Sequence, residues 1–220
     1  MKKHLLILAS TFALFNCSSP LSDLAISDPS LVYPNINIVI DNTDYGIGSS
    51  ANVCLNDKNA AFIELKEGEV NINGLAAKYS LGCYSNNMAV KAGEKYEVEI
   101  VLADSTGYLS EVVVPAEFIK VKHPIKIKEN ESFEVNWEDN YTGISKVRFE
   151  IKDSTDNWIT IFETDIPDNE VIIADMIFPN YDITEGKLIL SREKHGSLAD
   201  GFGGGGINSK SSFSRLIKIQ

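Results

Sequence analysis

The fold class follows from residues 95–115, KYEVEIVLADSTGYLSEVVVP. Tyr96, Val98 and Ile100 alternate with charged residues, and a period of two is typical of a strand with one buried face. Residues 104–107, DSTG, have the composition of a tight turn between two such runs. The stretch therefore predicts a β-hairpin.

Further strands with the same period lie on both sides of this hairpin. A second hairpin is predicted at residues 146–164, where Val147, Phe149 and Ile151 alternate with charged residues ahead of a turn at 153–157. Almost no segment places apolar residues at helical spacing over three turns. We therefore expect an all-β fold, a sandwich or a barrel. The other predicted strands are 36–40, 51–55, 61–65, 133–137, 171–174, 187–191 and 213–219.

The predicted strands fall into two groups. Val114-Pro115 ends the first group, and His123-Pro124 precedes the second. We place the boundary near residues 116–120 and expect two consecutive antiparallel β-sandwich domains, at residues 33–118 and 119–220. Each has the usual size of a domain.

Both groups resemble known sandwich domains. Residues 132–137, SFEVNW, look like a B strand with an inward Trp137; with the hairpin at 146–164 and the closing strand at 216–219, they resemble an immunoglobulin or fibronectin type III domain. Residues 91–96, KAGEKY, and the closing VVVP make the first group similar to the first sandwich-like domain of Bacteroidetes-type lipoproteins. The resemblance implies this fold for both domains.

The N-terminus has the composition of a secretory signal peptide. Lys2 and Lys3 precede an apolar run at residues 5–15, interrupted only by Ser10 and Thr11. A helix that spans a bilayer needs about 20 apolar residues, so this run is too short for a permanent anchor. We expect residues 1–16 to be removed.

The residues at the predicted cleavage site are Leu14-Phe15-Asn16-Cys17. They resemble the lipobox of bacterial lipoproteins, although Asn16 stands where a smaller residue is usual, as in the looser lipoboxes of spirochaetes and Bacteroidetes-like bacteria. The resemblance implies cleavage before Cys17, a diacylglycerol with further acylation on Cys17, and residues 17–32 as a tether. Two or more acyl chains hold a protein stably on a bilayer. We expect a lipid-anchored protein of the cell envelope, on the outer membrane. Both the periplasmic side and the cell surface stay open as its location.

The mature chain is strongly acidic. Without Lys2 and Lys3, 18 basic residues remain against 31 acidic ones, a formal net charge of −13. Such a surface repels phosphate backbones, so no nucleic-acid partner is expected.

Two cysteines remain after lipidation, Cys54 and Cys83. An even pair in an exported chain indicates a disulfide, which would stabilise the fold by about 3 to 4 kcal/mol. The alternation leaves a second interpretation open, because Cys83 is in phase with apolar neighbours while Cys54 is not. A pair of free thiols is that alternative. The cysteines and histidines lack the spacing of a zinc site, so no metal is expected.

Motifs of known enzymes are missing. The chain contains no G-x-S-x-G and no H-E-x-x-H, and its acidic pairs define no cleft. Residues 201–206, GFGGGG, match G-x-G-x-x-G, but the next segment reads as a strand and not as the helix that a dinucleotide requires. We expect no enzyme activity and no cofactor other than the lipid on Cys17.

The remaining candidate site is a glycine-rich loop with aromatic neighbours. Residues 201–206 predict a flexible loop between the last two strands, with Phe202 and Ile207 as ligand contacts. Trp158 starts the return strand of the second hairpin and is a candidate contact at the same end, although packing is the alternative for a lone aromatic residue.

Two functions remain open. In the first, the protein is a non-catalytic binding module that presents sandwich loops to a protein or a glycan. In the second, it is a structural accessory or spacer of an envelope assembly. An exposed aromatic patch favours the first, and a long unprotected edge strand favours the second.

Overall fold

The computed structural model describes residues 25–128, 131–138, 141–153, 155–173 and 183–220. In these ranges the protein is all-β, as predicted, and its one helical element is the short 3-10 turn Pro29–Leu31. No helix in the same ranges is long and apolar enough to cross a membrane. The predicted signal peptide and Cys17 lie outside the described residues.

Sixteen strands follow one another within the described ranges. The first eight are β1 (Tyr33–Thr43), β2 (Gly46–Asn56), β3 (Glu69–Ile72), β4 (Leu75–Ala76), β5 (Lys78–Ser80), β6 (Cys83–Ser85), β7 (Lys95–Val101) and β8 (Gly107–Val113). The last eight are β9 (Ile119–Lys122), β10 (Lys126–Ile127), β11 (Phe133–Glu138), β12 (Ser145–Lys152), β13 (Trp158–Ile166), β14 (Glu170–Ile173), β15 (Glu185–His195) and β16 (Gly206–Ile219). The two predicted hairpins are β7–β8 and β12–β13, and both are confirmed.

The strands form one long sheet and two short ones. The long sheet has the order β13-β12-β15-β16-β1-β2-β6-β5, and β10 also pairs with β16. One short sheet has the order β4-β3-β7-β8, and the other has the order β14-β11-β9. Most neighbours are antiparallel, but β16 pairs parallel with both β1 and β10. Strands from both sides of position 118 therefore share the long sheet.

Each short sheet covers its own hydrophobic core on one face of the long sheet. The first core lies under β3, β7 and β8 and includes Ile38, Val53 and Val98, all fully buried. The second lies under β9, β11 and β14 and includes Val135 and Phe149. The arrangement of these cores as two immunoglobulin-type sandwiches stays a prediction.

Strand β16 contributes to both cores. Its buried residues alternate along the strand, with Ile207 in the first core and Phe213, Ile217 and Ile219 in the second. Two buried serines, Ser209 and Ser211, stand between them. The Oγ of Ser209 donates a 2.9 Å hydrogen bond to the carbonyl of Val113, so this middle segment also holds the end of β8.

A buried arginine lies at the junction of the two cores. Arg192 on β15 is 1% exposed, and its Nη1 donates hydrogen bonds of 3.1 and 3.2 Å to the carbonyls of Ala116 and Glu117. Its guanidinium carbon lies 4.0 Å from the ring centroid of Phe118. Arg192 therefore fixes the segment that leads from the first short sheet to the second.

One predicted strand is wrong. Residues 61–65 form a loop with a single β-bridge between Phe62 and Asn56, because a hydrogen bond to a side chain replaces the pairing that would extend this bridge into a strand. The N–H of Ile63 donates to the carbonyl of Leu55, and the N–H of Leu65 donates to the Tyr84 hydroxyl.

A disulfide joins Cys54 to Cys83 in the structure, with the Cα atoms 4.1 Å apart. The two residues are neighbours on β2 and β6, and both side chains lie on the face of the long sheet that points away from the cores. Cys83 does not share a face with Tyr79, because residues 81–82 turn the chain back between them. Ser80 pairs with Cys83 and Tyr79 with Tyr84, so the phase counted along the chain is reversed across this turn.

We expect replacement of both cysteines by serine to lower the free energy of unfolding by about 3.5 kcal/mol, the chain-entropy value for a cross-link between residues 29 apart. The partly exposed face accommodates two hydroxyls, so the loss measures the covalent bond and not packing. Urea denaturation of the variant and the wild type checks it, with reduced wild-type protein as the control. Equal midpoints for all three samples would contradict a structural disulfide.

Candidate functional site

A recess opens at one end of the outer face of the long sheet, the face that points away from both cores. It has a volume of about 630 Å³. Three separate segments meet there: the start of β1, the loop after β2, and the β15–β16 connection. The lining residues are Tyr33, Pro34, Asn35, Asn56, Asp57, Lys58, Ala60, His195, Gly205, Gly206 and Asn208.

A smaller apolar notch of about 270 Å³ adjoins this recess. Ile26, Leu31 and Ile63 line it, and Leu31 is 58% exposed. Tyr33 and the adjacent loop residues Asp57 and Lys58 line both cavities, so the two lie side by side. The site therefore joins an apolar end to a polar one.

Glycines of the β15–β16 connection hold the Tyr33 ring in place. A Cβ at Gly203 would lie 2.7 Å from this ring, and one at Gly204 would lie 2.9 Å from it. Gly205 has φ +108°, and a Cβ there would meet the carbonyl oxygen of Pro34 at 2.1 Å. The glycine-rich segment is therefore a close-packed wall of the recess and needs glycine for steric reasons.

The loop after β2 is ordered by the carboxylate of Asp57. Its Oδ1 accepts hydrogen bonds from the backbone N–H groups of Asn59, at 2.8 Å, and of Ala61, at 2.9 Å. The bond from Ala61 is the main reason that the pKa of Asp57 lies below its usual value. Ala60 has φ +63°, a conformation that this hydrogen-bonded turn maintains. The wall on this side of the recess is thus pre-formed.

A row of polar side chains leads out of the recess across five neighbouring strands. Cross-strand pairing aligns one residue from each strand, so the five side chains share the outer face. They are His195 on β15, Asn208 on β16, Asn37 on β1, Asn52 on β2 and Ser85 on β6. Strands lie about 4.8 Å apart, which makes the row about 19 Å long.

A second recess lies at the far end of this row. It has a volume of about 490 Å³, and Asn52 and Ser85 belong both to its lining and to the row. Ser49, Ser50, Asn86 and Asn87 add more hydroxyl and amide groups to the lining. The polar row therefore runs from the first recess to the second.

Trp158 and Phe202, which the sequence analysis assigned to one candidate site, lie apart in the structure. Trp158 pairs with Lys152 at the end of β12, next to Gly186 on β15. The glycine-rich segment leaves β15 at the opposite end, after His195, about 27 Å from Lys187 at the usual rise of a strand. Trp158 therefore does not belong to the recess. The ammonium groups of Lys152 and Lys187 lie 5.4 and 5.6 Å from its ring centroid.

The expectation for Ile207 as a ligand contact is wrong. Ile207 is 2% exposed and belongs to the first core, because β16 already begins at Gly206 and turns this side chain inward. Phe202 is half-buried, packs on the same core, and its ring centroid lies 5.2 Å from that of Tyr108. Phe202 supports the loop from the side of the first core and does not line the recess.

The residues that do line the recess carried a weak signal in the sequence. Tyr33 and Asn35 stand at the border between the predicted tether and the first strand, and His195 and Asn208 flank the glycine-rich segment. Only the alternation NINIV at 35–39 marks Asn35 and Asn37 as residues of one polar face.

No group of three or more His, Cys, Asp or Glu side chains is placed to share a metal ion in the part of the chain that the structure describes. No protein-family model matches this chain, and a search of curated proteins finds no similar sequence. The site must therefore be interpreted from its own chemistry.

Proposed function

We propose that the protein is a lipid-anchored, non-catalytic binding module of the bacterial cell envelope. The anchor is the lipid on Cys17, and the binding surface is the recess around Tyr33 with its polar row. The lipobox-like residues 14–17 support the anchor, and the recess supports binding.

The observation that carries this proposal is the pre-formed recess. Its walls come from three distant segments, and glycine contacts and the Asp57 turn hold two of them in place. A concave surface with a few convergent polar groups on a rigid frame is the usual form of a ligand site. The wall residues have ring, amide and charged side chains suited to contact with a ligand.

The chemistry of the recess favours binding over catalysis. The imidazole Nδ1 of His195 hydrogen-bonds to the amide Oδ1 of Asn208 and not to a carboxylate of the kind that orients a catalytic histidine. The Asp57 carboxylate is engaged by backbone N–H groups of its own loop. Among the lining residues, Tyr33 and Lys58 are the remaining ionisable groups, and neither stands in a nucleophile–base pair.

The location of the recess is consistent with a short tether. Ile26 lines the apolar notch, and its carbonyl accepts a hydrogen bond from the N–H of Ala103. Ile26 is nine positions after Cys17, a reach of at most about 32 Å for an extended chain. A lipid on Cys17 would therefore keep this end of the sheet close to the membrane.

A second candidate function, a structural accessory of an envelope assembly, is favoured by strand β13. Its nine residues, Trp158–Ile166, form an edge of the long sheet. Among the described strands β13 pairs only with β12. A free edge of this length can pair with another chain.

The proposed function is tested on intact cells that produce either the wild-type protein or the Cys17→Ala variant. We expect wild-type protein with acyl chains on Cys17, as found by mass spectrometry, in the membrane fraction. The variant cannot be acylated, so it should leave that fraction almost completely. Surface proteolysis of the same cells distinguishes the surface face from the periplasmic one. Equal membrane retention of both proteins would overturn the anchor.

A further inference from the structure

We propose that the two recesses and the polar row between them bind a neutral, elongated saccharide. The inference rests on the proposed binding function and names its ligand class. The row comprises His195, Asn208, Asn37, Asn52 and Ser85.

The first reason is the pattern of hydrogen-bonding groups. A sugar presents neighbouring hydroxyls that donate and accept at once, and an amide side chain offers both functions from one planar group. The Oδ1 of Asn208 is engaged by His195, whereas its Nδ2 donates no hydrogen bond within the described part of the chain. Asn37 Nδ2 donates to Asn35 Oδ1 at 2.9 Å, which orients both amides. The row therefore presents oriented donors and acceptors to solvent.

The second reason is the position of Tyr33. The face of a sugar ring consists of C–H groups, which pack on the electron-rich face of an aromatic ring. Tyr33 lines both the recess and the notch, and Gly203 and Gly204 fix its ring from the side of the loop. An aromatic wall beside amide groups can hold both surfaces of a sugar, the apolar ring face and the polar edge.

The third reason is charge. The mature chain has a formal net charge of −13, which repels polyanionic glycans. Within the recess, the carboxylate of Asp57 is balanced by the ammonium of Lys58. The ligand that fits this balance is neutral.

The fourth reason is the length of the site. The row runs for about 19 Å and ends in the second recess, where Asn52 and Ser85 meet further hydroxyl and amide groups. A single sugar would occupy only one recess. A chain of several sugars can lie along the row and place its ends in both cavities.

The experiment uses the full-length lipidated protein in detergent. The probes are neutral tetrasaccharides of glucose and of N-acetylglucosamine, a glycan array with further neutral saccharides, and a sulfated polysaccharide as the polyanion. Binding is measured by isothermal titration calorimetry for the wild type, for Asn35→Ala in the first recess and for Asn52→Ala in the second. The matched control is Asn71→Ala, an amide on β3 of the short sheet. Thermal melting confirms that each variant is folded.

We expect at least one neutral saccharide to bind, and each site variant to weaken its binding about tenfold, the effect of one or two lost hydrogen bonds. Asn71→Ala should bind as the wild type does. The inference is overturned if no neutral saccharide binds, if only the polyanion binds, or if Asn71→Ala loses as much affinity as the site variants. If one of these outcomes is found while the Cys17 experiment still shows a lipid anchor, the saccharide inference fails and the proposed function stands. The failure of the inference is therefore distinguishable from the failure of the proposed function.

Discussion

Removal of residues 206–220 should abolish the folding of the whole chain, including the half that precedes position 118. This deletion takes away β16, which lies between β15 and β1 in the middle of the long sheet. Four buried apolar side chains disappear with it: Ile207 from the first core, and Phe213, Ile217 and Ile219 from the second. Each is worth about 1.5 to 3 kcal/mol. Their sum approaches the whole stability of an ordinary domain.

Thermal melting followed by near-ultraviolet circular dichroism tests this expectation. The truncated chain should show no cooperative transition, whereas the wild type should show one. The control is Lys218→Ala, which changes an exposed residue of the same strand and leaves both cores complete. A cooperative transition of native amplitude in the truncated chain would mean that the first core forms without β16.

Replacement of Arg192 by alanine should cost about 3 to 5 kcal/mol of unfolding free energy, the range seen when one partner of a buried charged contact is removed. The change leaves the carbonyls of Ala116 and Glu117 without their donor and opens a cavity beside the rings of Phe118 and Tyr141. The unsatisfied buried carbonyls and the lost packing both lower the free energy of unfolding.

Urea denaturation measures the loss, and amide hydrogen exchange locates it. Faster exchange is expected first at residues 115–120, the segment that Arg192 holds. Lys210→Ala is the control, because Lys210 is a partly exposed residue of the neighbouring strand whose ion pair with Glu193 contributes little. A loss no larger than that of Lys210→Ala would show that the junction does not depend on the arginine. Arg192→Lys should recover only part of the stability, since an ammonium lacks the planar fork that contacts both carbonyls and the ring.

The local part of the fold was predictable from the sequence. The first strand of each hairpin, β7 or β12, alternates strictly and is followed by turn residues within a few positions, so each hairpin contains its own signal. The parallel pairing of β1 with β16 has no such signal, because Asn35 and its partner Gly206 are far apart along the chain. The inward face of β16 could not be recognised from the sequence either, since Ser209 and Ser211 interrupt its apolar residues.

The candidate site depends on the same long-range pairing. Asn35 and Asn208 approach each other only because β1 and β16 are neighbours, and Asn56 joins them through β2. Sequence patterns identify residues that are close along the chain, so they indicated Phe202 and the adjacent Ile207. The glycine-rich segment packs against the Tyr33 ring, whereas the sequence pattern had indicated Phe202 as its contact residue.

The position of β1 also determines how the molecule responds to mechanical load. A pull that runs parallel to β1 loads this strand along its axis. That strand forms eleven residue pairs with β2 on one side and eight with β16 on the other. A force parallel to the strands shears these ladders together, whereas a perpendicular force would open them one bond at a time. A pull along β1 therefore loads the sheet in its most force-resistant direction.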